Sequence, residues 1–427
     1  MSVVVLGAGI SGISAAYHLQ NLKFNVQVYE SRKTSGGLLD SFSPHDGFIF
    51  DRFIHLSFTN NLYVKELFDQ SCESITHTPR ASNLSKGIWL KHPAQFNLAP
   101  LPTEEKVEIL KGFYERETEV DIQNYEDWLR AQFGVYFSQN YPEKYTEKYW
   151  TLNPKDLSID WVSGRFNIPQ IDQIIRGSYE TQVDNHYYAK SMRYPVKGGY
   201  KSYISGMTRE VQINLNKRAS SIDIVNKRVL FHDGEVRGFD KLISTIPLPE
   251  LIPMITDVPE DILRASEKLA ATSGQLVSFG FNRKIDNHLW FYIYDEDFLP
   301  SRAYSPSEKS SNNVPSGCSS IQFETYFSKY KPRVLSGDEL VSHIIEKGEK
   351  MGIFTKSDII FSDYREVAYA NVIFDHDRKS NLRLIHDYLD SVGIFYCGRF
   401  GEWDYLWSDQ CVVSGRNIAN KINKLCG

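Results

Sequence analysis

Val3-Val4-Val5-Leu6-Gly7-Ala8-Gly9-Ile10-Ser11-Gly12 opens the chain, and its reading decides the fold. Four apolar residues run into a Gly-x-Gly-x-x-Gly turn that includes Ser11. A helical pattern follows through Ile13, Ala16, Tyr17 and Leu19. A second apolar strand, Val26-Gln27-Val28-Tyr29, ends at Glu30. Strand, glycine turn, helix, strand and terminal acid together make a βαβ unit suited to a dinucleotide. Gly7 permits the tight turn, Gly9 lets the backbone approach a pyrophosphate, and Gly12 lets the helix pack closely on the sheet. The helix N-terminus then offers free N–H groups and partial positive charge to the phosphates. Glu30, 18 residues past Gly12, is placed to accept hydrogen bonds from both ribose hydroxyls. A glycine turn without a ligand would not require that acid.

Ser35-Gly36-Gly37-Leu38 follows closely, and Asp51 comes shortly after. Taken bare, the doublet is a turn, and spacing alone leaves NAD open. In this context it resembles the FAD-binding extension of the glutathione-reductase-like superfamily. That resemblance implies FAD, with Gly36, Gly37, Leu38 and Asp51 among its contacts. It also implies backbone contact of Ala219 with the adenine.

The chain has 427 residues, of which 41% are hydrophobic and 24% charged, enough for a sizeable core and more than one domain. Its net charge of −5 argues against general affinity for nucleic acid. It also means that an anionic substrate needs a local cluster of Arg or Lys. The five cysteines, at 72, 318, 397, 411 and 426, form no Cys-x-x-Cys pair. They give no metal framework and point to a reducing, cytoplasmic setting. The opening strand leaves no room for a signal peptide, and no run of about 18 apolar residues predicts a membrane helix. The oligomeric state is open, a homo-oligomer included.

The expected fold class is α/β: a Rossmann-like FAD-binding domain interleaved with a helical cap and a second, mainly antiparallel sheet. Residues 1–80, 188–265 and 380–427 are assigned to the FAD-binding domain. Residues 81–187 are assigned to the cap and 266–379 to the substrate-binding sheet. Thr103 reads as a helix N-cap, Arg165 as a helix residue and Arg302 as part of a Ser/Pro-rich loop. Ser307 to Gly317 reads as a mobile polar loop.

Gly398-Arg399-Phe400-Gly401-Glu402-Trp403-Asp404-Tyr405 is the most specific stretch after the opening. It resembles a signature of the UDP-galactopyranose mutases. Other segments are similar in the same order. Phe48 to Tyr63 places His55 beside the flavin, and Trp89 to Gln95 brings His92 and Gln95 to the substrate. Trp161 to Arg165 carries a diphosphate-binding arginine, and Trp290-Phe291-Tyr292 is followed ten residues later by Arg302.

The resemblance implies an isomerase in cell-surface glycan synthesis that interconverts pyranose and furanose forms of a nucleotide-diphosphate sugar. UDP-galactopyranose is the default substrate. Reduced flavin would act through N5 as a nucleophile on the anomeric carbon, and NAD(P)H is an allowed reductant. His55, Arg302 and Arg399 are the catalytic candidates. His92, Gln95, Arg165, Tyr292, Tyr369 and Tyr405 are candidates for substrate binding. Gly398, Arg399, Asp409, Gln410 and Cys411 would meet the flavin at the start of the last helix.

Three departures stand out: Phe53-Ile54 replaces a glycine pair, His92 replaces a tyrosine, and Ser408-Asp409-Gln410-Cys411 replaces a Gly-Asn-Gln-Asp run. They keep one rival alive, a catalytically silent FAD-binding partner in a glycan-assembly complex; the other rival, an amine-oxidase-type flavin oxidase or desaturase, shares the expected fold and the FAD fingerprint.

Overall fold

A computed structural model describes residues 1–184, 186–187, 189–285 and 288–426. The opening strand, Ser2–Leu6, lies inside a parallel sheet, between Lys241–Ser244 and Asn25–Tyr29. Ile394–Tyr396 and Ile213–Asn214 complete that sheet at its edges. Val3, Val4, Val5 and Leu6 are all buried, because a central parallel strand is covered on both faces. Each such side chain contributes roughly 1.5–3 kcal/mol. The helix Ile10–Asn21 covers one face, and the last helix, Ser408–Cys426, packs on it. A Cβ at Gly415 would lie 2.5 Å from the Ser11 carbonyl oxygen, so only glycine allows this approach.

The second sheet has seven strands among the described residues, in the order Ile359–Val372, Ala271–Phe281, Ser319–Phe327, Arg302–Tyr304, Trp290–Ile293, Ala81–Ser85, Ile88–Lys91. All neighbours are antiparallel except Trp290–Ile293 against Ala81–Ser85. Residues 81–91 therefore pair into this sheet rather than belonging to the helical cap. Its register aligns Asn83, Tyr292, Arg302 and Glu324 in one row across four strands. Directly opposed residues share a face, so one row of side chains addresses one site.

The helical segment follows: Thr103–Tyr114, Tyr125–Phe133, Val135–Asn140, Pro142–Tyr149 and Ile171–Tyr179. Tyr145 and Tyr149 are four residues apart and so occupy one helix face. That face meets Tyr292 of the row and Tyr326, two residues past Glu324 on its strand, with ring centroids 5.3 Å apart for Tyr145 and Tyr292 and 4.9 Å for Tyr149 and Tyr326.

Several local expectations are corrected. Thr103 is the first helical residue, and Pro102 takes the cap position, its fixed φ being suited to helix entry. Arg165 lies in a turn after Trp161, not on a helix. Arg302 starts a strand of the seven-stranded sheet, because its cross-strand partners outweigh the loop-like Ser and Pro around it. The stretch from Ser307 to Gly317 contains the end of the helix Pro306–Lys309 and the short turn Ser311–Asn313. Lys309, Ser310 and Asn313 are buried there, held by a partner 258 residues away in sequence, so it is no mobile loop. The long strand Ile359–Val372 and the helix Arg378–Ser391 have no counterpart in the sequence-based assignment.

Candidate active site

One cavity of about 820 Å³ runs from the glycine turn to the tyrosine row. The sequence-derived site residues all border it except Gly12, Asp51 and Gln410. Gly12 does what its place predicts: a Cβ there would overlap the Gly7 carbonyl oxygen, so its absence lets the helix approach the strand.

At the adenosine end, Glu30 is oriented by the turn itself. Its Oε2 accepts the Ala8 N–H at 2.8 Å and its Oε1 accepts the Arg32 N–H at 2.9 Å. The doublet closes over the turn: Gly36 N–H donates to Ala8 O at 2.8 Å. A Cβ on Gly37 would come 3.0 Å from the Gly9 Cα. Gly36 and Gly37 have φ of +113° and +61°, conformations that favour glycine. Ala219 lies at the same end, and Gly398 backs onto Ser11. This is a narrow glycine-lined cradle at a helix N-terminus, with an acid at the ribose position, and it fits an FAD molecule.

His55 borders the middle of the cavity. Its ring stacks on Tyr200 with centroids 5.0 Å apart, and Nδ1 lies 3.3 Å from the Phe53 carbonyl oxygen. Burial pushes its pKa down to about 3, so the imidazole is neutral. Burial does the same to His92, whose Nδ1 lies 3.0 Å from Asn83 Oδ1. Both imidazoles regain ordinary basicity near 6.5 when the chain unfolds. Between about pH 3 and 6.5 the unfolded chain therefore binds more protons, and stability falls as pH is lowered through that window. Acidification from pH 7 to 4.5 should cost about 2–3 kcal/mol per imidazole. Urea midpoints for parent and His92→Gln check this. A variant that keeps the parent's full pH slope would refute the assignment for His92.

At the far end lie three arginines with different commitments. Arg302 donates from Nε to Glu324 Oε2 at 2.5 Å and from Nη2 to the Tyr326 hydroxyl at 3.0 Å. Glu324 is fully buried and also accepts the Ile54 N–H, which ties the His55 loop to this strand. The Nη1 of Arg302 makes no hydrogen bond among the described residues. Arg165 donates to Trp161 O and Tyr405 O, each at 2.8 Å, and lies over the rings of Tyr405 and Trp407.

Arg399 departs from its expected role as a free phosphate clamp. Nε and Nη2 donate to Leu406 O, and Nη1 donates to Ala370 O and Asn371 Oδ1. Four bonds to the protein make it a brace between the C-terminal motif and the seven-stranded sheet, with one edge on the cavity. Tyr405 Oη lies 2.9 Å from Tyr149 Oη. Gln95 donates from Nε2 to Asn167 O at 3.0 Å. Burial raises the hydroxyl pKa of Tyr145, Tyr149, Tyr292 and Tyr326, and burial with nearby Glu250 raises that of Tyr369 to about 12. These groups are neutral donors at working pH.

One cofactor assignment is corrected. Asp51 does not reach the cavity; it is fully buried and its carboxylate is filled by Ser41, Tyr194, Tyr200 N–H and Lys309. At the start of the last helix Asp409 and Cys411 border the cavity; the Gln410 side chain accepts the Trp407 N–H on Oε1 at 2.8 Å, which does not bear on the backbone N–H role expected of that stretch. The sequence reading missed Tyr145, Tyr149, Glu324 and Tyr326. The first two carried a signal, an i,i+4 tyrosine pair. The others become visible only through the strand register.

Among the described residues no helix is long and apolar enough to cross a membrane, and no group of three or more His, Cys, Asp or Glu is placed to hold a metal ion.

The chain superposes on a crystal structure of reduced UDP-galactopyranose mutase with a TM-score of 0.93, at 25% identity, over 99% of this chain and 96% of the other. A CLA-producing fatty acid isomerase from P. acnes (12% identity, 98% of each chain, TM-score 0.65) shares the fold. So does a putrescine oxidase variant (14% identity, 99% of each chain, TM-score 0.65). The family model for flavin containing amine oxidoreductases matches residues 10–423. With the glycine cradle and Glu30 in place, FAD is the cofactor, and the resemblance to UDP-galactopyranose mutases extends to the whole structure. The chain belongs to the flavin containing amine oxidoreductase family.

Proposed function

We propose that the chain is an FAD-dependent mutase that interconverts pyranose and furanose forms of a nucleotide-diphosphate sugar, UDP-galactopyranose being the default substrate. The observation that carries this reading is the cluster of Arg165, Arg302 and Arg399 among neutral tyrosines at one end of the FAD cavity. The diphosphate of a nucleotide sugar must be held while detached and then returned. Guanidinium groups suit that task, since they keep their charge when buried and donate in pairs. Arg302 borders the cavity with an Nη1 that no described residue engages, Arg165 is braced by Tyr405 and Trp407, and Arg399 fixes the loop that carries Tyr405. Tyr292 supplies a hydroxyl that burial keeps neutral, and Tyr405 a second hydroxyl beside it, so donors can follow a moving anion. When bound and reduced, FAD supplies a nucleophilic nitrogen to the anomeric carbon. His55 borders the cavity as a neutral ring, held by Phe53 O and Tyr200. The aromatic walls keep water from a detached sugar.

The family also contains amine oxidases, and this reading competes with theirs. With Arg302 balanced by Glu324, Arg165 and Arg399 leave this end net positive, which disfavours an ammonium substrate and favours the anionic one. The deciding experiment is an anaerobic assay of dithionite-reduced, FAD-loaded protein over a panel of nucleotide sugars, with product ring size read by NMR. The expected outcome is ring contraction with reduced protein and none with oxidised protein. Unchanged pyranoses throughout, or amine-dependent bleaching of oxidised flavin, would sink the mutase reading.

A further inference from the structure

Asp51 and Lys309 are both fully buried, and neither borders the cavity. Lys309 Nζ donates to Asp51 Oδ2 at 2.5 Å and lies 4.4 Å and 4.2 Å from the ring centroids of Tyr194 and Tyr304. The Tyr194 hydroxyl donates to the same carboxylate oxygen at 2.8 Å. Asp51 Oδ1 accepts from Ser41 Oγ at 2.7 Å and from the Tyr200 N–H at 2.8 Å. Tyr304 closes the other side, its hydroxyl donating to the Asp51 carbonyl at 3.0 Å. The pair joins three parts of the chain: the strand Phe48–Asp51 that leads to His55, the turn before Tyr200, and the short helix Pro306–Lys309 beside the seven-stranded sheet.

Tyr200 is where these links act on the site. Its backbone is held by Asp51, its ring backs the His55 ring, and its hydroxyl lies 2.8 Å from Ser408 Oγ at the start of the last helix. His55 and Ser408 both border the cavity, and Tyr200 stands behind them. The turn can reach Asp51 only because residue 199 is glycine: it has φ +75°, and a Cβ there would lie 2.9 Å from Asp51 Oδ1. A buried ion pair is weak evidence for stability, because desolvation offsets its attraction. Two charges placed here, with every carboxylate acceptor directed at a named donor, fit better with fixing a geometry.

We propose that Asp51, its charge balanced by Lys309, is a positioning residue that holds Tyr200 as the common back wall of His55 and Ser408, and so sets both the affinity for FAD and the midpoint potential of the bound flavin. The proposal rests on FAD binding with its flavin ring beside His55 and Ser408, and stands whichever reaction the flavin serves.

Single substitutions would leave one buried charge unpaired and unfold the protein for unrelated reasons, so the test uses pairs. Asp51→Asn/Lys309→Met removes both charges yet keeps an acceptor for the Tyr200 N–H. Asp51→Leu/Lys309→Met removes the acceptor as well. FAD affinity is measured by titrating apoprotein, and the potential by dye-linked anaerobic reduction. The Asn/Met pair should bind FAD within about 3-fold of the parent at the parent's potential. The Leu/Met pair should bind about 10-fold more weakly, with a displaced potential, as expected when a buried N–H loses its acceptor. Tyr200→Leu keeps the pair and removes the wall; it should reproduce the Leu/Met result and serves if the latter does not fold. Parental affinity and potential in Leu/Met or in Tyr200→Leu, or equal losses in the two double variants, would overturn the proposal.

Discussion

A Gly12→Val variant is expected to purify without the yellow of bound flavin, with FAD affinity at least about 100-fold below the parent. The reason lies in backbone, not in side chains that could adjust. A Cβ at residue 12 would overlap the carbonyl oxygen of Gly7, and the nearest side-chain atom, Val5 Cγ1, is 3.4 Å away. The only relief is for the helix Ile10–Asn21 to lift from the strand Ser2–Leu6. That movement displaces the helix N-terminus and the turn from Gly7 to Gly9, which together form the pyrophosphate cradle. It also strains the contact with the last helix, where Gly415 already approaches the Ser11 carbonyl. Overpacking elsewhere in a core costs about 1–3 kcal/mol, and here the displaced atoms are those that bind the ligand. Gly234→Ala is the control. It sits in a hairpin turn with φ +85° and open space around its Cα, so its strain is local and FAD should be retained. Equilibrium titration of apoprotein with FAD separates the two. A Gly12→Val protein that holds FAD at the parent's affinity would remove the glycine turn from the cofactor site.

The same comparison of local and distant contacts explains what could be read from the sequence. Gly7 to Glu30 was legible because each requirement is local: a turn, a helix start and a strand end within one βαβ unit. Arg399 was legible as a site residue, but its commitment to Leu406, Ala370 and Asn371 was not, since those partners are fixed by how the last motif docks on the sheet. Lys309 lies in a run of Ser, Glu and Asn that reads as solvated loop. What buries it is Asp51, which no spacing rule connects to it. Asp51 itself was expected at the cofactor because it follows the glycine doublet. In the structure its carboxylate is instead committed to Tyr194, Tyr200 and Lys309. Glu324 was invisible for the same kind of reason: its meaning comes from standing directly across from Arg302 in an antiparallel pair.

That pairing makes Arg302→Ala the most damaging single substitution expected in the substrate end. In the parent, Arg302 and Glu324 cancel in charge, and Arg302 still borders the cavity with Nη1 unengaged by any described residue. Removing the guanidinium does two things at once. It deletes a cation where the proposed diphosphate is held, and among the described residues it leaves the fully buried Glu324 carboxylate with only the Ile54 N–H and the Tyr326 hydroxyl as partners. The local charge changes from neutral to negative, so an arriving diphosphate meets repulsion as well as a lost contact. Loss of one preorganised donor to a developing anion typically costs about 10²–10³-fold in turnover, and the uncovered carboxylate adds to that. We expect turnover with UDP-galactopyranose to fall at least about 10³-fold under reducing conditions. Arg302→Ala/Glu324→Gln separates the two contributions. Neutralising residue 324 should recover about 10-fold in KM by lifting the repulsion, but should leave kcat low, because no guanidinium returns to hold the leaving charge. Arg302→Lys should fall between, since an ammonium can pair with Glu324 but cannot bond Glu324, Tyr326 and the cavity together. Reduced-enzyme kinetics on the three variants decide the matter. If the alanine variant kept turnover within 10-fold of the parent, Arg302 would be a structural partner of Glu324, and the cationic end of the cavity would have to be sought at Arg165 and Arg399 alone.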